Sequence, residues 1–186
     1  MVEDGNSYPS LVTSAGSLSF IVSGLPSGTT TEGVSTNIST TDESVDFGQL
    51  LPGNQAIGAH RFTVSTNAEW GYKLYVYSRS DFVSENGAVI NPVSATNESP
   101  AAWPAAPNPS SFGYHTGDDT LSGAAPSRFA ANNTYARFET DTKEVGYSSI
   151  PIDNDIFDLV FRTEIGALQP SGSFQTNIVY ILTPEF

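Results

Sequence analysis

The sequence contains no cysteine. That excludes disulfide staples and every metal site built on thiolates. Basic residues are scarce, with 7 Lys and Arg against 20 Asp and Glu, a formal net charge of −13 and a pI near 4.2. Phosphate backbones are held by clustered Lys and Arg, so nucleic acid is excluded as a partner. The same charge disfavours anionic membranes and favours solubility. No stretch approaches the roughly 20 apolar residues needed to cross a bilayer, so direct membrane insertion of this segment is not expected. Ala/Leu/Glu/Lys-rich helical runs are nearly missing as well. Only two histidines occur, His60 and His115, and neither belongs to an H-E-x-x-H motif. The nucleophile elbow, the P-loop and the dinucleotide-binding glycine fingerprint are also missing. The chain therefore reads as a protein that is not an enzyme.

What is present favours strands. The 16 Gly and 12 Pro, among many Ser, Thr and Asn, punctuate the chain with turns. A hydrophobic fraction of 38% with 11% aromatics is enough to fill the space between packed sheets, which excludes disorder throughout. Residues 1–16 read as a flexible leader or tail, and 17–186 as one β domain. The first strand falls at Leu18 to Val22, and Gly24 to Gly33 is a turn region. His60 to Thr66 and Tyr72 to Tyr77 both alternate, and residues 67–71 read as the turn of a hairpin between them. Short strands are expected around Ala88–Ile90 and Phe112–Tyr114. Between them Ser99 to Pro109 carries too many prolines for a central strand and reads as a long loop. Asn133 to Phe138 is expected to pair with Glu144 to Ser148. Ile156 to Ile165 turns Phe157, Leu159, Phe161 and Ile165 to one face, and Asp158, Arg162 and Glu164 to the other. A Pro/Gly turn over 167–172 then leads to Phe174–Leu182, expected as the adjacent antiparallel partner of Ile156–Ile165. Roughly nine to eleven strands predict an all-β, antiparallel, two-sheet sandwich with one long Pro-rich loop.

Two stretches carry a resemblance. The first runs Phe47-Gly48-Gln49-Leu50-Leu51-Pro52-Gly53, then Phe62-Thr63-Val64-Ser65-Thr66-Asn67-Ala68 and Gly71-Tyr72-Lys73-Leu74. The second is Gly172 to Phe186, a Gly-Ser-aromatic start leading into a Thr/Asn-rich alternating strand. Both resemble an uncharacterised family of bacterial cell-surface domains described as Ig-like or adhesin-like. The resemblance implies an Ig-like β-sandwich in an exported envelope or filament protein, and it carries over no catalytic or binding residue. Met1-Val2-Glu3-Asp4-Gly5 has neither the basic start nor the apolar core of a signal peptide. Composition and resemblance together place the chain outside the cell or on its surface, with its leader or anchor beyond this sequence.

Three groups of residues carry candidate chemistry. Asp153, Asp155 and Asp158, with Asp118-Asp119 elsewhere, are oxygen-rich and could hold Ca²⁺. The glycine and distal glutamate of an EF-hand loop are missing, so the favoured reading is an acidic loop tip before a strand, with no cofactor. Trp70, Tyr72, Tyr75, Tyr77 and Trp103 could stack against sugar rings, although alternate aromatics more commonly fill a core. Leu18, Phe20 and Val22 lie on one face of a strand that could pair with the open sheet of a neighbour. The expected function is a non-catalytic structural subunit or ectodomain of a surface or filament protein. Its partners would be further copies of itself or other envelope proteins. The alternative is an adhesive module that binds glycans.

Overall fold

The computed structural model describes residues 16–104, 110–124 and 126–186. Most of the expected leader and the end of the Pro-rich stretch fall outside these residues. The described chain is all-β, with one short 3-10 turn at Leu121–Gly123 and no α-helix.

Fourteen strands follow in order: β1 (Leu18–Gly24), β2 (Thr30–Thr31), β3 (Val34–Ser35), β4 (Gln55–Thr66), β5 (Tyr72–Ser78), β6 (Phe82–Ser84) and β7 (Val89–Ile90), then β8 (Ala101–Ala102), β9 (Ser110–Thr116), β10 (Thr134–Tyr135), β11 (Lys143–Ser148), β12 (Ile152–Ile165), β13 (Phe174–Gln175) and β14 (Ile178–Pro184). They form several antiparallel sheets. The largest has the order β1-β4-β12-β9, and a three-stranded sheet has the order β11-β5-β14. A second three-stranded sheet, β13-β6-β7, and the pairs β8–β10 and β2–β3 complete the set.

The inward-facing side chains of the two main sheets meet in one core. Phe62 and Val64 of β4 and Phe157, Leu159 and Phe161 of β12 share it with Tyr72, Leu74 and Val76 of β5 and Val145 of β11. Aromatic contacts cross between the sheets: Phe62 meets Tyr180 at 4.9 Å in an edge-to-face arrangement. Strand β5 alternates strictly between fully and partly buried residues, as its sequence pattern requires. Strand β12 does not. From Phe157 to Glu164 every residue is buried on both faces. A second cluster, containing Leu25, Ile57, Ala59, Val93, Tyr135 and Val160, covers the outer face of the large sheet.

Three expected pairings are corrected. β4 and β5 do not form a hairpin, because β4 pairs with β1 and β12 whereas β5 pairs with β11 and β14. The intervening residues 67–71 cross from one sheet to the other instead. The crossing is tight: Gly71 sits at φ 73°, and a Cβ there would run into the carbonyl oxygen of Ser148. β14 is not the partner of β12. Ile178–Pro184 pairs antiparallel with Tyr72–Ser78, while β12 lies between β4 and β9. Thr134–Tyr135 pairs with Ala101–Ala102, not with Glu144–Ser148, which joins β5. In each case alternation identifies a strand but carries no information about which edge it meets.

Candidate functional site

Among the described residues, the side of the molecule between β1 and β14 is unfinished. β14 is the last strand of its sheet and β1 the last of the larger one. Their inward residues Phe20, Val22, Ile178, Tyr180 and Leu182 pack against the core, yet all five remain only partly buried. Next to them a cavity of about 1100 Å³ opens between the sheets. Phe47, His60, Phe161 and Tyr180 are among its walls, and Asp42, Glu43 and Asp46 belong to the segment that borders it. Its lining includes no Lys or Arg.

Backbone polarity on this side follows from strand geometry. Asn177 and Glu185 direct their carbonyls towards the β5 side, accepting from the N–H of Arg79 and Trp70 respectively, both at 2.9 Å. By alternation Ile178, Tyr180 and Leu182 direct their N–H and C=O groups outward, to an edge that no described strand occupies. Pro184 falls in the same outward set, where its missing N–H breaks no ladder bond.

His60 is the buried polar group at this cavity. Its Nδ1 lies 3.1 Å from the Tyr180 hydroxyl, while its Nε2 has no hydrogen-bond partner among the described residues. Burial lowers the imidazole below its ordinary pKa, against the opposing influence of the Ser44 and Thr41 backbone and the Asp42 charge. Burial also pushes the Tyr180 phenol up. Sequence reasoning placed His60 in a strand but missed its pairing with Tyr180 across 120 positions, for which no local signal exists.

The residues singled out from the sequence are dispersed. Leu18, Phe20 and Val22 pair within their own chain, opposite Thr66, Val64 and Phe62 of β4. Phe20 meets Phe62 at 5.5 Å. Tyr75 and Tyr77 are neighbours on the outer face of β5, partly exposed and flanked by Ile181 and Val179 of β14. Trp70 is 58% exposed in the crossing segment. Trp103 is on the outer face of the other sheet. Its ring lies 4.5 Å under the Arg162 guanidinium and 5.1 Å from Tyr135, and its indole N–H donates to Glu164 at 2.9 Å. The four aromatics therefore make no single platform.

The three aspartates lie within β12, not in a loop before it. A bulge interrupts the register between Ile152 and Asp155, with Asn154 at φ 58°. Asp153 accepts from the Ser65 hydroxyl at 3.0 Å. Asp155 accepts from the Tyr72 hydroxyl at 2.6 Å. Asp158, on the opposite face of the strand from Asp155, is buried and holds Arg61 through two bonds of 2.8 and 3.0 Å. Thr31 donates to the same carboxylate at 2.8 Å. Each carboxylate thus serves a different neighbour. Among the described residues no three His, Asp or Glu side chains converge on a common point.

The sequence pattern also missed a buried polar layer outside β12. Arg162 donates to Asn133 at 3.1 Å and to Gln55 at 2.7 Å. His115 donates to the Thr134 carbonyl at 2.7 Å and turns its other nitrogen to Glu32, 3.5 Å away. Polar residues at alternate positions read as a solvent face, and only the covering segments reveal them as interior. No protein-family model matches the chain, and no curated protein matches it.

Proposed function

We propose that the chain is an Ig-like β-sandwich acting as a non-catalytic structural subunit or ectodomain of an exported surface or filament protein, assembling with other copies of itself. The observation that carries this reading is the unfinished edge at β14, where outward backbone groups and half-covered Ile178, Tyr180 and Leu182 lie side by side. An open edge bearing apolar side chains is a ready template for a further strand. The acidic composition supports an assembly whose subunits stay soluble until a specific contact overcomes their mutual repulsion. Sedimentation velocity and negative-stain microscopy of the full chain at rising concentration test the reading. Linear assemblies are expected, and a monomer at every concentration overturns it.

A second reading, glycan binding, is favoured by one observation, the adjacent partly exposed rings of Tyr75 and Tyr77 on the outer face of β5. Tyr75→Ala is the clean probe, since Trp103 is tied to Arg162 and Glu164 and its loss would disturb the fold. Binding on a glycan array that disappears in Tyr75→Ala at unchanged melting temperature supports this reading. An array without signal for the unaltered chain removes it.

A further inference from the structure

The occupant of the β14 edge can be named. Resting on the assembly reading above, we propose that residues 5–15 of a second copy of this chain add as an antiparallel strand to the outer edge of β14, laying alternate side chains into the adjoining cavity.

Four observations converge on this segment. Its length is sufficient: β14 spans 7 residues, and at about 3.3 Å per residue residues 5–15 exceed it. Its chemistry fits the site. Gly5-Asn6-Ser7-Tyr8-Pro9-Ser10-Leu11-Val12-Thr13-Ser14-Ala15 bears no charge in a chain of net −13. The segment bordering the cavity carries Asp42, Glu43 and Asp46, and among the described residues no Lys or Arg lines it. An acidic strand would be repelled there, whereas an uncharged one meets no such cost. The alternate residues Leu11, Thr13 and Ala15, or Tyr8, Ser10 and Val12, give either face of the strand apolar or small side chains to bury.

Direction decides between the same copy and another. Gly16 lies against the Phe186 ring, so close that a Cβ would overlap it. Gly16 of each copy therefore lies near the far end of its own β14, beyond Pro184. From that point a copy's own segment would run along its β14 only in the parallel sense. Every ladder between named strands is antiparallel, apart from one isolated parallel bridge between Pro92 and Phe112, and antiparallel ladders are the more stable per residue. A second copy is free to enter in that sense. The contact is then head-to-tail and does not close on itself, which generates a linear chain of subunits.

The absence of cysteine makes the test direct. Ile181→Cys, on the exposed outer face of β14, is mixed in equal amounts with single variants Ser10→Cys, Leu11→Cys, Val12→Cys, Thr13→Cys and Ser14→Cys, then oxidised and run on a non-reducing gel. Disulfide-linked dimers alternating strongly and weakly along residues 10–14 are expected, the signature of a strand. In parallel, deletion of residues 1–15 removes none of the described elements. It is expected to abolish assembly while leaving the circular dichroism spectrum and urea midpoint unchanged. Assembly that persists in the deletion variant, or that proceeds with no alternating cross-links, overturns the named occupant and leaves the assembly reading standing. Double variants such as Val12→Cys/Ile181→Cys that close only within one copy overturn the second-copy assignment in favour of the chain's own segment. A full chain that never assembles removes the underlying reading as well.

Discussion

Two sides of the same core differ in how far they are finished. At the centre of the large sheet, β12 has a neighbour on each edge and a covering layer on each face, so Phe157 to Glu164 are all buried. At the other side β1 and β14 each have one neighbour among the described strands, and residues of the same apolar character are only partly covered. Phe62 and Phe20 make the contrast within one contact. The rings touch at 5.5 Å, yet Phe62 on β4 is fully buried and Phe20 on β1 is not. Burial here is a property of the number of neighbouring strands, not of the residue. Under the assembly proposed above, the open side is where apolar surface is left to bury.

The sharpest way to break this comparison is at Phe161, 2% exposed on the central strand β12 although one side of its ring borders the cavity. Phe161 stacks on Phe138 at 5.8 Å and meets His60 edge-on at 5.2 Å. Phe161→Ala is expected to cost about 3–5 kcal/mol, the usual price of emptying a rigid core site, read from urea unfolding followed by circular dichroism. A cost under about 1 kcal/mol would mean that the centre is not the closed region.

Asp158 tests the covered outer face of the same strand. Its carboxylate is buried while half of Arg61 faces solvent, so on removal Arg61 rehydrates and the main loss is the hydrogen bonds from Arg61 and Thr31. Asp158→Ala is expected to lower stability by about 2 kcal/mol. Salt titration of both proteins checks the cause, because a buried bonded pair is screened less than a surface one.

Phe20→Ala probes the open side, with an expected loss of about 1–2 kcal/mol, below that of Phe161→Ala because the ring is already partly in water. The comparison sharpens if this cost grows on assembly at high protein concentration. It fails if Phe20→Ala and Phe161→Ala cost the same.

The smallest effect concerns a pair outside both regions. Lys143 donates to Glu98 at 2.7 Å, and this contact holds the Glu98 carboxyl down to about 2, from an ordinary 4.5. A lowered pKa in the folded state means that the unfolded chain binds the proton more readily. The contribution is therefore present above pH 4.5 and disappears as pH falls through about 2. Glu98 is 63% exposed, so solvent screening limits the effect to about 0.5 kcal/mol or less. Glu98→Gln should destabilise slightly at neutral pH and match the unaltered protein near pH 2. Burial lifts Asp118 the other way, above its ordinary 3.8, outweighing the bonds from Thr120 and Tyr147. Its contribution favours folding below 3.8 and is lost as pH rises through the raised value, so the two groups slope in opposite directions.

Alternation in the sequence determined the longer strands and which way their side chains divide, whereas the two-residue strands β2 and β8 fall inside segments that read as a turn and a loop. Tyr72, Leu74 and Val76 point inward from β5 and Phe157, Leu159 and Phe161 inward from β12, as a period of two requires. Turn residues marked where strands end, and the missing cysteines ruled out disulfides and thiolate metal sites. Pairing was decided only by tertiary structure. Residues 67–71 suit a hairpin and a crossing between sheets equally well in sequence, and only the assembled sheets, with β4 between β1 and β12, select the crossing. The same global choice set β14 beside β5, enclosed Asp158 and Arg162 under covering segments, and brought His60 to Tyr180. Each of these depends on residues tens of positions apart. Hydrophobic burial is non-directional, so a local pattern states that a face must be covered without stating by what.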